Sequence, residues 1–367
     1  MRSQPTGFVP STVLPLLVLG AAGLLWLQTS AHAQADVAEK KGTVEQLKVH
    51  GKSLEANLEG DSPDRDVFVY LPPSYATDTN RRYPVVYFLH GYSVHAERYW
   101  NLMTVPATAD KQMDAGTVGE FILVHPDAYT IYSGSMYSNS PTTGDWDAYI
   151  THDLVDYIDS HYRTIAGRDS RGLAGHSMGG YGTLRIGMKH PEVYSAIYAM
   201  SSCCLMNNPA AARPAPSRQP AATAEGSGRG GRGASGPGFA NVLSAEAAAW
   251  SPNPKNPPKF FDLPTENGVV RPEIVAKWIA NSPLAMVDQY VPNLNQYHSI
   301  MMDVGLADGL AASNKEMDAS LTRLGVAHTF ETYEGDHTNR VKERFETRVL
   351  PFFSEGLKFQ AERAELH

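Results

Sequence analysis

Short, uninterrupted apolar runs alternate with stretches of helical spacing along most of this chain. Asp66-Val67-Phe68-Val69-Tyr70-Leu71 reads as a strand that stops at Pro72-Pro73, where the ladder would lose its donors. Val85 to Leu89 and Phe121 to Val124 are apolar at every position, as in strands covered on both faces of a parallel sheet. Gly172 to Ala174, Ala196 to Met200, Ser299 to Val304 and His328 to Tyr333 complete the predicted strands. Between them, helices are predicted around Trp100 to Met113, after Ser177 up to His190-Pro191, and over Ala311 to Leu324. Asp147 to Tyr162 repeats Ile150, Leu154, Val155 and Ile158 on one face. Arg340 to Leu357 places Val341, Phe345, Val349 and Phe353 at intervals of four. Strands alternating with helices predict an α/β layered fold with a mostly parallel central sheet flanked by helices.

Two segments break this pattern. From Asn207 to Gly238 the chain is Pro, Ala, Gly, Ser and Arg with almost no large apolar residue. Such a stretch buries too little surface to offset its ordering entropy, so a disordered insertion is expected over 207–238. Its Gly228-Arg229-Gly230-Gly231-Arg232-Gly233 matches a dinucleotide fingerprint formally, but no strand precedes it and no helix opens on it. From 239 to 292, Trp250, Phe260, Phe261 and Trp278 sit among prolines, and Pro272 suits the first position of a helix. This segment reads either as a cap that supplies aromatic substrate contacts or as an insertion with its own small core at the sheet edge.

The N-terminus follows a different rule. Arg2 precedes an uncharged apolar run from Val13 to Leu27, then Ala31-His32-Ala33. Residues 1–33 are expected to be a cleaved secretory signal, which leaves the rest (34–206 and 293–367 as the main domain) secreted or periplasmic. An uncleaved membrane anchor is the alternative, because the uncharged stretch from Phe8 is nearly long enough to span a bilayer. No cysteine lies near the cleavage signal, which argues against a lipid-anchored form. The only cysteines, Cys203 and Cys204, are neighbours and cannot close a long loop, so they read as small buried hydrophobes. A chain of 367 residues, 42% hydrophobic, can bury a full core without bridges. Its net charge of −8 argues against a nucleic-acid partner.

The chemistry concentrates at Arg171 to Gly182, which contains Gly175-His176-Ser177-Met178-Gly179. A serine hydroxyl is a weak nucleophile unless a sharp strand-to-helix turn exposes it to a base, and that turn tolerates only small neighbours. The same turn puts the Met178 N–H at a helix start, where a developing oxyanion is favoured. A base and an orienting acid should follow from later strand ends in the order serine, acid, histidine. Asp308, after the Ser299–Val304 strand, and His337, after the last strand, fit that order. Asp336 is the second choice of acid, while Asp303 lies inside a strand pattern. His298 and His328 sit at the opposite strand ends, His176 lies within the elbow, and His90 is placed to shape the oxyanion hole. The second oxyanion donor is expected from Leu89-His90-Gly91-Tyr92, through the N–H of Gly91 or Tyr92. Trp100, Trp146, Asp147 and Trp250 are candidate substrate contacts. No clustered ligand spacing suggests a metal, and the chemistry needs no cofactor.

These residues together resemble the esterase D-like branch of the α/β-hydrolases, which includes feruloyl and acetylxylan esterases, S-formylglutathione hydrolases and mycolyltransferases. The resemblance rests on Val69 to Pro73, Arg82 to Gly91, Asp156-Tyr157-Ile158, Tyr162-Arg163-Thr164, the elbow with Lys189-His190-Pro191, Gly305 with Asp308, and Gly335 with His337. It implies a serine esterase with Ser177, Asp308 and His337 as triad, Tyr92 and Met178 as oxyanion donors, and a small-molecule or polysaccharide-linked ester as substrate. Acyl transfer to an alcohol would use the same triad, and a non-catalytic binding module would be expected to have lost one member. The long insertion and Thr338-Asn339 after the histidine depart from the pattern and bear on the pocket.

Overall fold

Eight strands form one sheet in the spatial order β1-β2-β4-β3-β5-β6-β7-β8. They are β1 Thr43–His50, β2 Asp64–Leu71, β3 Val85–Leu89, β4 Ile122–Pro126, β5 Arg171–His176, β6 Ala196–Met200, β7 Ser299–Gly305 and β8 Thr329–Tyr333. The structure, a computed structural model, describes residues 41–206 and 241–361. The expected leader (1–33) and the segment 207–238 lie outside the described residues. β2 runs antiparallel to β1 and β4, and every pairing from β4 through β8 is parallel. This is the layered α/β architecture with a mostly parallel central sheet that the apolar runs predict.

The central strands are apolar throughout because both faces are covered. Val85, Tyr87 and Leu89 of β3 join the core on one face with Leu173, Ile197 and Met302. Val86 and Phe88 join the other with Ala174, Tyr198 and Met301. Helices α3 (Leu154–His161) and α4 (Met178–Lys189) supply Ile158, Leu184 and Ile186 to the first layer. The second takes α1 (Ala96–Leu102), α2 (Val105–Asp114) and Phe345 and Phe353 from the C-terminal helices.

Three predicted helices are interrupted. The stretch from Trp100 to Met113 divides at Thr104, which is left-handed at φ 45°, with a proline opening α2. Residues 149–153 and 345–349 adopt wider π turns inside their helices. At the second, Pro351 follows closely and has no N–H to close a regular turn. Periodicity finds the apolar face of such a helix but not a one-residue change of winding.

Residues 241–292 fold as α5 (Val242–Trp250), a hairpin over 265–270 and α6 (Pro272–Ala280), with Pro272 at the helix start as expected. They do not form a core of their own. Ala248, Trp250 and Trp278 belong to the first layer's core, and Trp250 packs on Tyr181 of α4 with ring centroids 5.6 Å apart. The Leu284 N–H donates to Leu205 O, and the Ser140 hydroxyl to Ala248 O, so the segment is pinned to the main body at both ends. Among the described residues no helix is long and apolar enough to cross a membrane.

Candidate active site

The parallel register sets the carboxyl ends of β3, β5, β6, β7 and β8 along one edge, pairing Leu89 with Gly175, His176 with Met200, Met200 with Asp303, and Gly305 with Tyr333. Loops leaving that edge carry every residue singled out for catalysis. An open parallel sheet offers its crevice there because adjacent loops diverge from one row of strand ends.

Ser177 follows β5 directly and has φ 60° and ψ −113°, a conformation that costs a side-chain-bearing residue about 1–3 kcal/mol. The surroundings hold it. Its N–H donates to Met200 O at 3.0 Å, and its carbonyl accepts from Tyr181 N at 2.9 Å and Cys203 N at 3.1 Å. The flanking glycines are demanded by close approach. A Cβ at 175 would lie 2.3 Å from Gly179 O, and one at 179 would lie 1.9 Å from Leu89 O. The turn thus exposes the serine while its backbone folds tightly over β3.

The Ser177 hydroxyl lies 2.9 Å from His337 Nε2, and His337 Nδ1 lies 2.8 Å from Asp308 Oδ2. Asp308 accepts at its other oxygen from the Leu310 N–H at 2.9 Å. Since a carboxylate only accepts, His337 carries its proton on Nδ1 and presents an unprotonated Nε2 to the serine. Burial by itself would raise the Asp308 carboxyl. The hydrogen bond from His337, the ring's attraction for the carboxylate whenever it is protonated, and the Leu310 amide outweigh it and hold the carboxyl below its usual value, so it is an anion at neutral pH. Asp336, the second-choice acid, points elsewhere: its exposed carboxylate accepts from the Thr338 and Asn339 amides. Asp303 is buried inside β7, 2.7 Å from Arg344 Nε and 2.6 Å from the Tyr198 hydroxyl.

Met178 opens α4, so its N–H is one of the amides that a helix start leaves without an intrahelical acceptor. The loop after β3 closes against it. A Cβ at Gly134 would lie 2.7 Å from both Met178 Sδ and Tyr92 Cδ2, and a Cβ at Gly91 would lie 3.4 Å from Ser177 Cβ. His90 braces this loop from beneath. It donates from Nδ1 to Gly91 O and accepts at Nε2 from Ala128 N, both at 2.8 Å, and burial keeps its ring neutral by lowering its pKa. The Gly91 backbone packs against the Tyr99 hydroxyl, so closely that a Cβ at 91 would lie 2.3 Å from its oxygen.

The four candidate substrate contacts turn out to be packing residues. Trp100 lies 5.4 Å from the Phe68 ring, in the layer on the far face of the sheet. Trp146 donates to Thr143 O and lies beneath the Arg65 guanidinium. Asp147 is buried among Arg185 at 3.0 Å, Lys189 at 3.1 Å and His190 at 2.5 Å. Burial opposes its ionisation, but these three cations hold its carboxyl well below the usual range. Trp250 is wedged between Tyr181 and Trp278. Each is nearly inaccessible to solvent, a fact that residue type alone does not encode.

Two features escaped the sequence reading. Glu246 on α5 approaches Cys204, with Sγ to Oε1 at 3.8 Å, and burial pushes its carboxyl up to about 7. His176, set aside as a structural neighbour of the serine, hydrogen-bonds to the main chain of His337. Both arise from contacts between distant segments, so no local signal announces them. Neither Cys203 nor Cys204 is in a disulfide.

Comparison with known proteins gives the site a context. The profile of a protein family described as "Putative esterase" matches residues 62–346. The chain is 31% identical over 128 residues to an esterase of Mycobacterium tuberculosis, covering 34% of this chain and 26% of that protein. It is 26% identical over 147 residues to S-formylglutathione hydrolase of Paracoccus denitrificans, covering 36% of this chain and 50% of that enzyme. The matched region therefore spans between a quarter and half the length of these relatives. Among solved structures, a ferulic acid esterase superposes with a TM-score of 0.61 at 21% identity, over 86% of this chain and 98% of the other. An S-formylglutathione hydrolase from Agrobacterium tumefaciens superposes with a TM-score of 0.57 at 17% identity, over 87% and 97%. At those identities the likeness to the solved structures is one of fold.

Proposed function

The chain belongs to this esterase family, and from that premise we propose that it is a serine hydrolase that cleaves carboxylic esters through Ser177, His337 and Asp308. The observation that carries the reading is the continuous hydrogen-bonded line from Asp308 through His337 to Ser177, with distances of 2.8 and 2.9 Å, at the carboxyl edge of the sheet.

As Ser177 Oγ attacks the ester carbonyl, its proton passes to His337 Nε2. The imidazolium that forms is held by the Asp308 carboxylate, whose lowered pKa keeps it anionic for this purpose. The Met178 and Tyr92 amides donate to the oxygen that gains charge in the tetrahedral intermediate. Donors fixed by the fold need no reorganisation at that moment, and one is worth about 3 kcal/mol of transition-state stabilisation. His337 returns the proton to the departing alcohol, leaving an acyl-enzyme on Ser177. Water then enters, gives a proton to His337, and releases the acid by the same steps in reverse. Oxygen, nitrogen and backbone groups carry every step.

The enzyme is further proposed to work outside the cytoplasm, a reading supported by the apolar run and Ala31-His32-Ala33 signal. The catalytic test is Ser177→Ala assayed with p-nitrophenyl acetate. Turnover is expected to fall about 10⁴-fold or more with the thermal midpoint nearly unchanged. A variant that retains turnover overturns the assignment.

A further inference from the structure

We propose that Tyr99 and His176 are positioning residues that set where the base stands, by holding the main chain of His337 against the elbow. The proposal rests on the reading of Ser177 and His337 as nucleophile and base.

The proton positions follow from the partners. His176 is fully buried, with Nε2 at 2.7 Å from the carbonyl oxygen of His337 and Nδ1 at 2.7 Å from the Tyr99 hydroxyl. A carbonyl oxygen has no proton to give, so Nε2 is the donor. Burial lowers the ring's pKa to about 3, so it holds one proton near neutrality and that proton is on Nε2. Nδ1 must then accept, and the Tyr99 hydroxyl donates to it. The Gly91 backbone packs against the Tyr99 hydroxyl, where a Cβ at 91 would lie 2.3 Å from its oxygen. One directed line therefore runs from Tyr99 of α1, through the last residue of β5, to the loop after β8.

His176 and His337 are opposite tautomers with different tasks, their rings 4.7 Å apart and tilted by 41°. His337 protonates at Nδ1 for Asp308 and offers Nε2 to the serine. His176 protonates at Nε2 for the His337 carbonyl and is locked there by Tyr99. The other bonds of the His337 loop point away from the elbow: Asp336 caps the Thr338 and Asn339 amides, and Gly335 O accepts from Ala307 N beside the acid. The His176 bond ties the base's main chain to the residue next to the nucleophile. The base is thus placed at two points, at its carbonyl by His176 and at its ring by Asp308, before the serine contributes. A reacting pair displaced by about 1 Å can lose a hundredfold in rate, which is the scale at stake.

The test measures kcat per active site, with sites counted by an organophosphate titrant and p-nitrophenyl acetate as substrate. His176→Leu removes the donor and is expected to lower kcat about 10- to 100-fold with KM within about twofold. His176→Gln can place an amide N–H at a similar reach and is expected to recover most of that loss. A histidine that only fills space would show no such rescue. Tyr99→Phe deletes one oxygen, frees the tautomer, and is expected to lower kcat about 3- to 10-fold with KM unchanged. Folded Tyr99→Phe with wild-type kcat overturns the proposal, as does an equal loss in the Leu and Gln variants at 176. Should His176→Leu not fold, Tyr99→Phe decides alone. If Ser177→Ala remains active, the triad reading itself fails. If Ser177→Ala is dead while Tyr99→Phe is as fast as wild type, only the positioning role fails.

Discussion

Gly91→Ala is the smallest change that reaches the oxyanion loop without altering any reacting group. Gly91 has no left-handed backbone requirement, so its lack of a side chain answers to space alone. An added Cβ would lie 2.3 Å from the Tyr99 hydroxyl oxygen, 3.1 Å from its Cζ and 3.4 Å from Ser177 Cβ. The first distance is about 1 Å short of van der Waals separation. Tyr99 cannot retreat freely, because it is buried and its hydroxyl is bound to His176. The loop must therefore lift, carrying the Tyr92 N–H with it. An amide displaced by about 1 Å no longer meets an oxyanion at hydrogen-bonding distance, and losing such a donor lowers kcat about 10²- to 10³-fold. Overpacking costs about 1–3 kcal/mol of stability in addition. Steady-state kinetics per titrated site, with thermal unfolding alongside, separates the two effects. Tyr99→Phe in the Gly91→Ala background removes the colliding oxygen. The double variant is expected to settle near the rate of Tyr99→Phe alone rather than at the product of the two losses. Wild-type kcat in Gly91→Ala, or a double variant no faster than Gly91→Ala, would refute the steric reasoning.

Two further predictions concern the acids. Asp308→Asn keeps an oxygen for the Leu310 N–H but turns an amide donor toward His337 Nδ1, which forces the proton onto Nε2, facing the serine. The expected loss in kcat is about 10³- to 10⁴-fold, with Asp336→Asn as the near-neutral control; if the two lost activity equally, Asp308 would not be the orienting acid. Glu246 is raised by burial from 4.5 to about 7, so the folded state binds more protons than the unfolded one between those values. Its presence therefore lowers stability as pH rises from about 4.5 to 7, by at most about 3 kcal/mol, and the penalty persists above. Glu246→Gln is expected to gain a few degrees in thermal midpoint relative to wild type at pH 8 but not at pH 4.5; a difference that stays flat with pH would remove the burial argument.

The fold was readable because an alternating series of apolar runs and helical stripes leaves few ways to bury itself. Val85 to Leu89, five apolar residues closed by His90-Gly91, and Ala196 to Met200 suit strands covered on both sides. The elbow was readable because a turn that exposes a serine needs small residues on either side, even though the contact that demands Gly179 is made with Leu89 O on β3. The aromatic candidates failed for the opposite reason. Trp100 and Trp146 have the same composition signature whether they line a cleft or fill a core, and Asp147 met its three cations only when α4 packed beside residues 146–148.

Local order along the chain thus determined the layered sheet, the strained serine turn and the order in which serine, acid and histidine follow. The tertiary structure alone decided which acid faces His337 and that His176 grips the base's carbonyl. Those outcomes depend on ångström-scale separations between residues 29 to 161 positions apart, set by strand register and close packing rather than by any neighbouring side chain.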